Sequence, residues 1–186
     1  VNLRRMAKRL LAAGRKTGEP FEIVWVNDGS SDNTEDVLEA MADKNHRIRP
    51  VHLSRTFGHM AALPAGLDAA RATGAVITLD SDGQHPPELI PDMVALWKQG
   101  ADIVQGVRRR TDDASGFKRL TSWGFYHLLK ALSNLDLPEG AADFRLLDRE
   151  VVDVLNELPE RTRFLRGLVY WIGFDVELLP FHAPHR

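Results

Sequence analysis

Leu3, Met6, Ala7, Leu10 and Leu11 recur at helical spacing, which predicts an amphipathic helix ending near Gly14. The mostly apolar run Phe21–Val26 predicts a strand, closed by the turn Asn27-Asp28-Gly29-Ser30. Asp32-Asn33-Thr34-Glu35 is an acidic variant of a capping box, opening a helix through Val37, Leu38 and Met41. A short strand over Arg49–Leu53, an Ala-rich helix from about Gly58 to Ala72 and a strand over Ala75–Leu79 follow. Pro64 lies inside that Ala-rich helix, where a proline costs roughly 3 kcal/mol unless the helix kinks or starts late. A helix carrying Leu89, Ile90, Met93, Leu96 and Trp97 is predicted to stop before Gly100, with a strand over Ala101–Gly106 beyond it.

After this strand the alternation breaks down. A polar stretch runs from Arg108-Arg109-Arg110 to Lys118-Arg119, and a helix is expected over roughly Leu120–Asn134. "ADFRLLDRE" (Ala142–Glu150) predicts a strand entering a helix, Phe164–Ile172 a helix, and the apolar–acidic alternation of Phe174–Phe181 a half-exposed strand. Strand and helix alternate through the first hundred residues, so the expected fold is an α/β three-layer domain with a largely parallel sheet. Such sheets bind ligands beyond the carboxyl ends of their strands. Asp28, Asp80 and Asp82 all sit at such ends and are expected to face one crevice.

The length of 186 residues suits one domain with a sizeable core. A net charge of -2 argues against a general nucleic-acid binder. The absence of cysteine excludes disulfides and thiolate metal sites. No apolar stretch reaches the roughly 18 residues that would span a bilayer.

The densest candidate chemistry is in "VITLDSDGQHPPELI" (Val76–Ile90), where an apolar run ends in Asp80-Ser81-Asp82. Alternate residues of an extended segment point the same way, so Asp80 and Asp82 can face one point. Two like charges held together call for something positive between them. A divalent cation answers that need. A solvated turn, with Pro86-Pro87 opening the next helix, accounts for the same residues without one. Neither His59 nor His85 lies in a metal-ligand spacing motif, so both are read as polar neighbours of the site rather than as ligands.

"VNDGSSDNT" (Val26–Thr34), "SRTFGHMAALPAGLDAA" (Ser54–Ala70), "LDSDGQHPPELI" and "ADFRLLDRE", in this order, resemble family 2 glycosyltransferases of the GT-A fold. Within that family they resemble the polyprenyl-phosphate branch, the dolichyl-phosphate mannose synthases and undecaprenyl-phosphate glucosyltransferases. The resemblance implies inverting transfer of a hexose from a UDP- or GDP-linked sugar to a polyprenyl phosphate. It places Asp28, Gly29, Ser30 and Ser81 at the nucleotide sugar. It places Asp80, Asp82 and Gln84 on Mg²⁺ or Mn²⁺ at the donor diphosphate, and Arg108 and Arg119 at the acceptor phosphate. Asp143 matches the acidic position near the acceptor, as an orienting residue or a general base, and Arg145 is a candidate partner for it.

The resemblance further implies a single catalytic domain over residues 1–186, truncated at both ends and lacking the first strand of the sheet. The expected partners are the donor, the lipid phosphate and a membrane surface reached through segments absent from this chain, on its cytoplasmic face. A homo-oligomer is compatible with all of this. The competing expectations are the same fold acting on a glycan hydroxyl, and a non-catalytic nucleotide- or metal-binding fragment. A nicotinamide enzyme is disfavoured, because no G-x-G-x-x-G follows a strand.

Overall fold

The computed structural model describes residues 3–109, 138, 140–159 and 165–183. In chain order these form α1 (Leu3–Thr17), β1 (Ile23–Asn27), α2 (Thr34–Ala42), β2 (Ile48–His52), α3 (His59–Ala69) and β3 (Ala75–Thr78). A 3-10 turn (Pro87–Leu89), α4 (Ile90–Lys98), β4 (Ile103–Arg108), β5 (Ala141–Asp148), α5 (Arg149–Glu157), α6 (Leu165–Trp171) and β6 (Val176–Phe181) follow. The helix expected over Leu120–Asn134 lies outside the described residues.

Each predicted strand is present, but several helix ends differ from expectation, α3 among them, which stops at Ala69 rather than near Ala72. Helix α1 runs past Gly14 to Thr17, because Gly14 is a packing position rather than a stop. A Cβ there would lie 2.7 Å from the Phe21 ring. Helix α2 starts at Thr34 with Asn33 at its cap, and Asp32 acts one step earlier by accepting the Thr34 N–H at 3.0 Å. Helix α3 continues through Pro64.

The strands form two sheets. Strand β1 pairs with β2 in parallel, whereas the second sheet has the order β3-β5-β4-β6. Its β4–β6 pair is parallel, and β5 runs antiparallel to both β3 and β4. The largely parallel expectation is thus corrected to a mixed sheet. The local pattern of β5 could not reveal this, because a strand buried on both faces reads the same in either direction.

Both faces of the second sheet are covered. Ile103 and Leu147 pack with Leu67 of α3, Val151, Val152 and Leu155 of α5, and Leu165 and Val169 of α6. Val104, Phe144 and Leu146 pack with Met93 of α4 and Phe181. The first sheet carries Trp25 and Ile48 against α1 and α2, and Ile77 and Leu79 join that cluster. Each fully buried side chain of this kind contributes about 1.5–3 kcal/mol, enough to hold three layers in register. At Gly106, where the β4–β5 register shifts, a Cβ would sit 2.7 Å from the Phe144 carbonyl oxygen. Only glycine lets β4 approach the strand that carries Asp143 so closely.

Candidate active site

The aspartates of the sequence motifs meet around the start of α3. Asp28, just beyond β1, accepts the backbone N–H groups of Phe57 and Gly58 at 2.7 and 2.8 Å, one on each carboxylate oxygen. The next residue, His59, begins α3 and turns its ring to two further aspartates. Its Nε2 lies 3.1 Å from Asp143 Oδ2, and its Nδ1 lies 3.8 Å from Asp80 Oδ1. One imidazole thus lies between Asp80 and Asp143.

Asp28 and Gly29 do more structural work than sequence suggests. Gly29 has φ +63°, and a Cβ there would lie 2.3 Å from the Arg55 carbonyl carbon. The close backbone approach that requires glycine is thus to the Arg55–Thr56 segment of the chain itself. Ser30 is exposed and donates its N–H to Asn27 Oδ1 at 3.1 Å. Asn27 is buried and contacts His52 Nδ1 at 3.2 Å through its amide nitrogen.

Asp80, Ser81, Asp82 and Gln84 occupy the turn after β3. The Asp80 side chain is 38% exposed, and Ser81 and Asp82 are exposed. Asp82 Oδ1 accepts the Gln84 N–H at 2.9 Å, closing an Asx turn. Arg108, at the end of β4, reaches Gln84 Oε1 at 3.5 Å, while Arg119 lies outside the described residues. Among the described residues no three His, Cys, Asp or Glu side chains converge on a point that could hold an ion. Two carboxylates and an amide oxygen form an all-oxygen donor set, which suits a hard cation that takes the rest of its shell from phosphates.

His85 closes the turn from beneath. It is 6% exposed and accepts the Asp80 N–H on Nδ1 at 2.9 Å. Its ring stacks on Phe144 at 5.4 Å and meets the edge of Phe181 at 6.0 Å. Burial pushes its imidazolium below the usual histidine range, against the opposing pull of Asp80, Asp82 and Asp143.

Asp143 and Arg145 are two apart on β5 and point to the same side. Arg145, 1% exposed, donates to Asp143 Oδ1 at 2.7 Å, and Arg166 of α6 donates to Oδ2 at 2.6 Å. Burial alone would push the Asp143 carboxyl up. The hydrogen bond from Arg166, the charges of Arg145 and Arg166, and the bond from His59 outweigh it and hold the group below the ordinary carboxylate range. Burial also lowers the Arg145 guanidinium, so the pair is charged at the expense of a desolvated cation. Burial raises the neighbouring Tyr170 phenol to about 12, against the opposing pull of Arg145.

Arg166 escaped the sequence reading because it belongs to none of the four motifs, and only the packing of α6 on β5 brings it to Asp143. The pairing of Arg145 was a candidate because it shares the ADFRLLDRE motif with Asp143. The distinct duties of the two histidines were not legible.

Residues 1–155 match the family described as Glycosyl transferase family 2. An uncharacterized glycosyltransferase of Bacillus subtilis, YkcC, is 40% identical over 179 residues, which are 96% of this chain and 55% of the relative. A prophage bactoprenol glucosyl transferase homolog of Escherichia coli is 39% identical over 166 residues, 89% of this chain and 54% of that protein. The chain thus spans about half the length of the curated relatives it matches. Among solved structures, Rv0371c of Mycobacterium tuberculosis superposes with a TM-score of 0.56 at 16% identity, covering 96% of this chain and 75% of that one. Its complex with manganese gives 0.54 at 15% identity, with 96% and 77% covered. These two likenesses establish the GT-A-type α/β fold, and the match over residues 1–155 establishes that the chain belongs to glycosyl transferase family 2.

Proposed function

We propose that the protein moves a hexose, glucose in the first instance, from a nucleotide sugar to a polyprenyl phosphate. The observation that carries this reading is the saturation of Asp143 by Arg145, Arg166 and His59. A glycan hydroxyl must lose a proton to attack, so that acceptor would need a base at the site. Asp143 is poorly suited to that task, being held ionised below its ordinary range with cationic donors on both oxygens. A phosphate monoester, with its second pKa near ~6, is already largely dianionic at neutral pH and needs no base. Relatives named bactoprenol glucosyl transferase agree with a lipid-phosphate acceptor.

The acceptor phosphate oxygen attacks the anomeric carbon as the bond from that carbon to the donor diphosphate oxygen breaks. The sugar inverts and the nucleoside diphosphate leaves. Asp80, Asp82 and Gln84 would hold Mg²⁺ or Mn²⁺, which supplies Lewis-acid stabilisation of the leaving diphosphate. Gly29, Ser30 and Ser81 flank the donor, and Asp28 sets the turn that places His59 beside Asp80 and Asp143. Arg108 reaches the acceptor side of the same turn, and Asp143 orients its cationic partners. A guanidinium fork suits phosphate oxygens better than a point charge does.

The test uses the full-length protein with Mn²⁺, UDP-glucose or GDP-mannose, and undecaprenyl phosphate or a free glycan as acceptor. Label transfer to the lipid phosphate alone supports the reading. Equal transfer to the glycan would establish the hydroxyl-acceptor alternative, and binding of UDP or GDP without any transfer would favour a non-catalytic module.

A further inference from the structure

His85 has no part in the reaction proposed above, yet it is among the most enclosed polar side chains of the site. Its position is unusual for a histidine so near two aspartates. It does not offer an N–H to the Asp80 carboxylate, whose Oδ2 lies 3.7 Å from Nδ1. It takes the Asp80 backbone N–H on that same Nδ1 at 2.9 Å. A nitrogen that accepts carries no proton, so the neutral ring bears its hydrogen on Nε2.

The ring itself is gripped from two sides. Phe144 lies nearly parallel to it, with 13° between the planes, and Phe181 stands at 85° to it. Phe144 and Phe181 in turn meet edge to face at 5.7 Å. These aromatic residues belong to β5 and to the end of β6. The acceptor nitrogen is therefore fixed to the rigid four-stranded sheet, while the amide it holds begins the Asp80–Gln84 turn.

The structure assigns to His85 the role of a positioning residue: through a neutral, ring-clamped Nδ1 it fixes the Asp80 backbone and so aims the Asp80–Asp82 pair at a divalent cation shared with the donor diphosphate. The inference rests on the metal reading of that pair. A phenylalanine at this position could keep the stacking on Phe144 but not the hydrogen bond. Phenylalanine would leave the half-buried Asp80 amide without its acceptor. Groups that orient ligands from behind typically change metal affinity by about 10–100-fold when removed.

The experiment compares the wild-type full-length protein with His85→Phe, His85→Asn and His85→Gln. Three quantities are measured: melting temperature, Mn²⁺ affinity by EPR in the presence of UDP and then GDP, and hydrogen exchange of the Asp80 amide without metal. His85→Phe should stay folded, with a melting temperature lowered by a few degrees at most, while exposing the Asp80 amide to exchange. It should also weaken nucleotide-dependent Mn²⁺ binding by about 10-fold or more. Asparagine, whose Oδ1 sits near the place of Nδ1, should restore both readouts, and glutamine, whose amide reaches the Nε2 position, should not. Unchanged exchange and Mn²⁺ affinity in His85→Phe, or equal behaviour of the asparagine and glutamine variants, would overturn the assignment. Should the wild type bind no Mn²⁺ with either nucleotide, the metal reading fails and this assignment falls with it. Protection of Asp80 that depends on His85 would then describe a purely structural clamp.

Discussion

Asp143 and Asp80 touch the same imidazole, and their surroundings are opposite in kind. Asp143 is 11% exposed and takes hydrogen bonds from Arg145 and Arg166, one on each oxygen, with His59 sharing the second. Asp80 is 38% exposed, and the nearest ring nitrogens, of His85 and His59, stand 3.7 and 3.8 Å from its carboxylate, beyond hydrogen-bond reach. One carboxylate has its counter-charge built into the fold. The other turns an incompletely balanced charge toward the crevice. Residue type is the same in both places, so the chemistry is set by what the neighbouring elements deliver.

The comparison breaks most visibly at Arg145. Replacing it with methionine keeps the volume but leaves Asp143 buried without its inner partner, and removing one member of a buried pair costs about 3–5 kcal/mol. Urea unfolding of the full-length protein should register that loss. A change within experimental scatter would mean that Arg166 and His59 alone balance Asp143.

At Asp80 the expectation reverses. Asp80→Asn should leave the unfolding midpoint near the wild-type value while lowering sugar transfer by at least about 100-fold, the scale of losing one electrostatic stabiliser of the transition state. Steady-state transfer assays beside thermal melts test both halves. Substantial destabilisation without loss of transfer would make Asp80 a structural residue and remove the contrast.

The smallest expected effect lies in the acid limb of stability. The Asp143 carboxyl is depressed in the folded protein, so its contribution is fully present above the unfolded value near ~3.9. It is lost as pH falls through the lower folded value, because the unfolded chain binds the proton first. Stability of the wild type should therefore rise more steeply with pH across that window than stability of Asp143→Asn. In transfer assays between pH 6 and 9, Asp143→Asn should lower the rate without reshaping the profile. Loss of the ascending acidic limb would instead restore the role of general base.

Periodicity placed the amphipathic helices, because burying one stripe imposes a repeat that local sequence must carry. The Asp80–Asp82 spacing was equally legible, since side chains two apart on an extended segment share a side. Strand direction was not, because β5 is buried on both faces and its apolar run reads alike forwards and backwards. Nor could the sequence show that Asp28 is engaged with the amides of Phe57 and Gly58, residues about thirty positions away. The crowding of Arg145, Arg166 and His59 on Asp143 likewise joins three separate elements. Local sequence determined which groups could ionise and which way each segment turned them. Only tertiary packing decided which charges were already matched within the fold and which were left open to solvent, because that balance depends on distances between segments that no local pattern encodes.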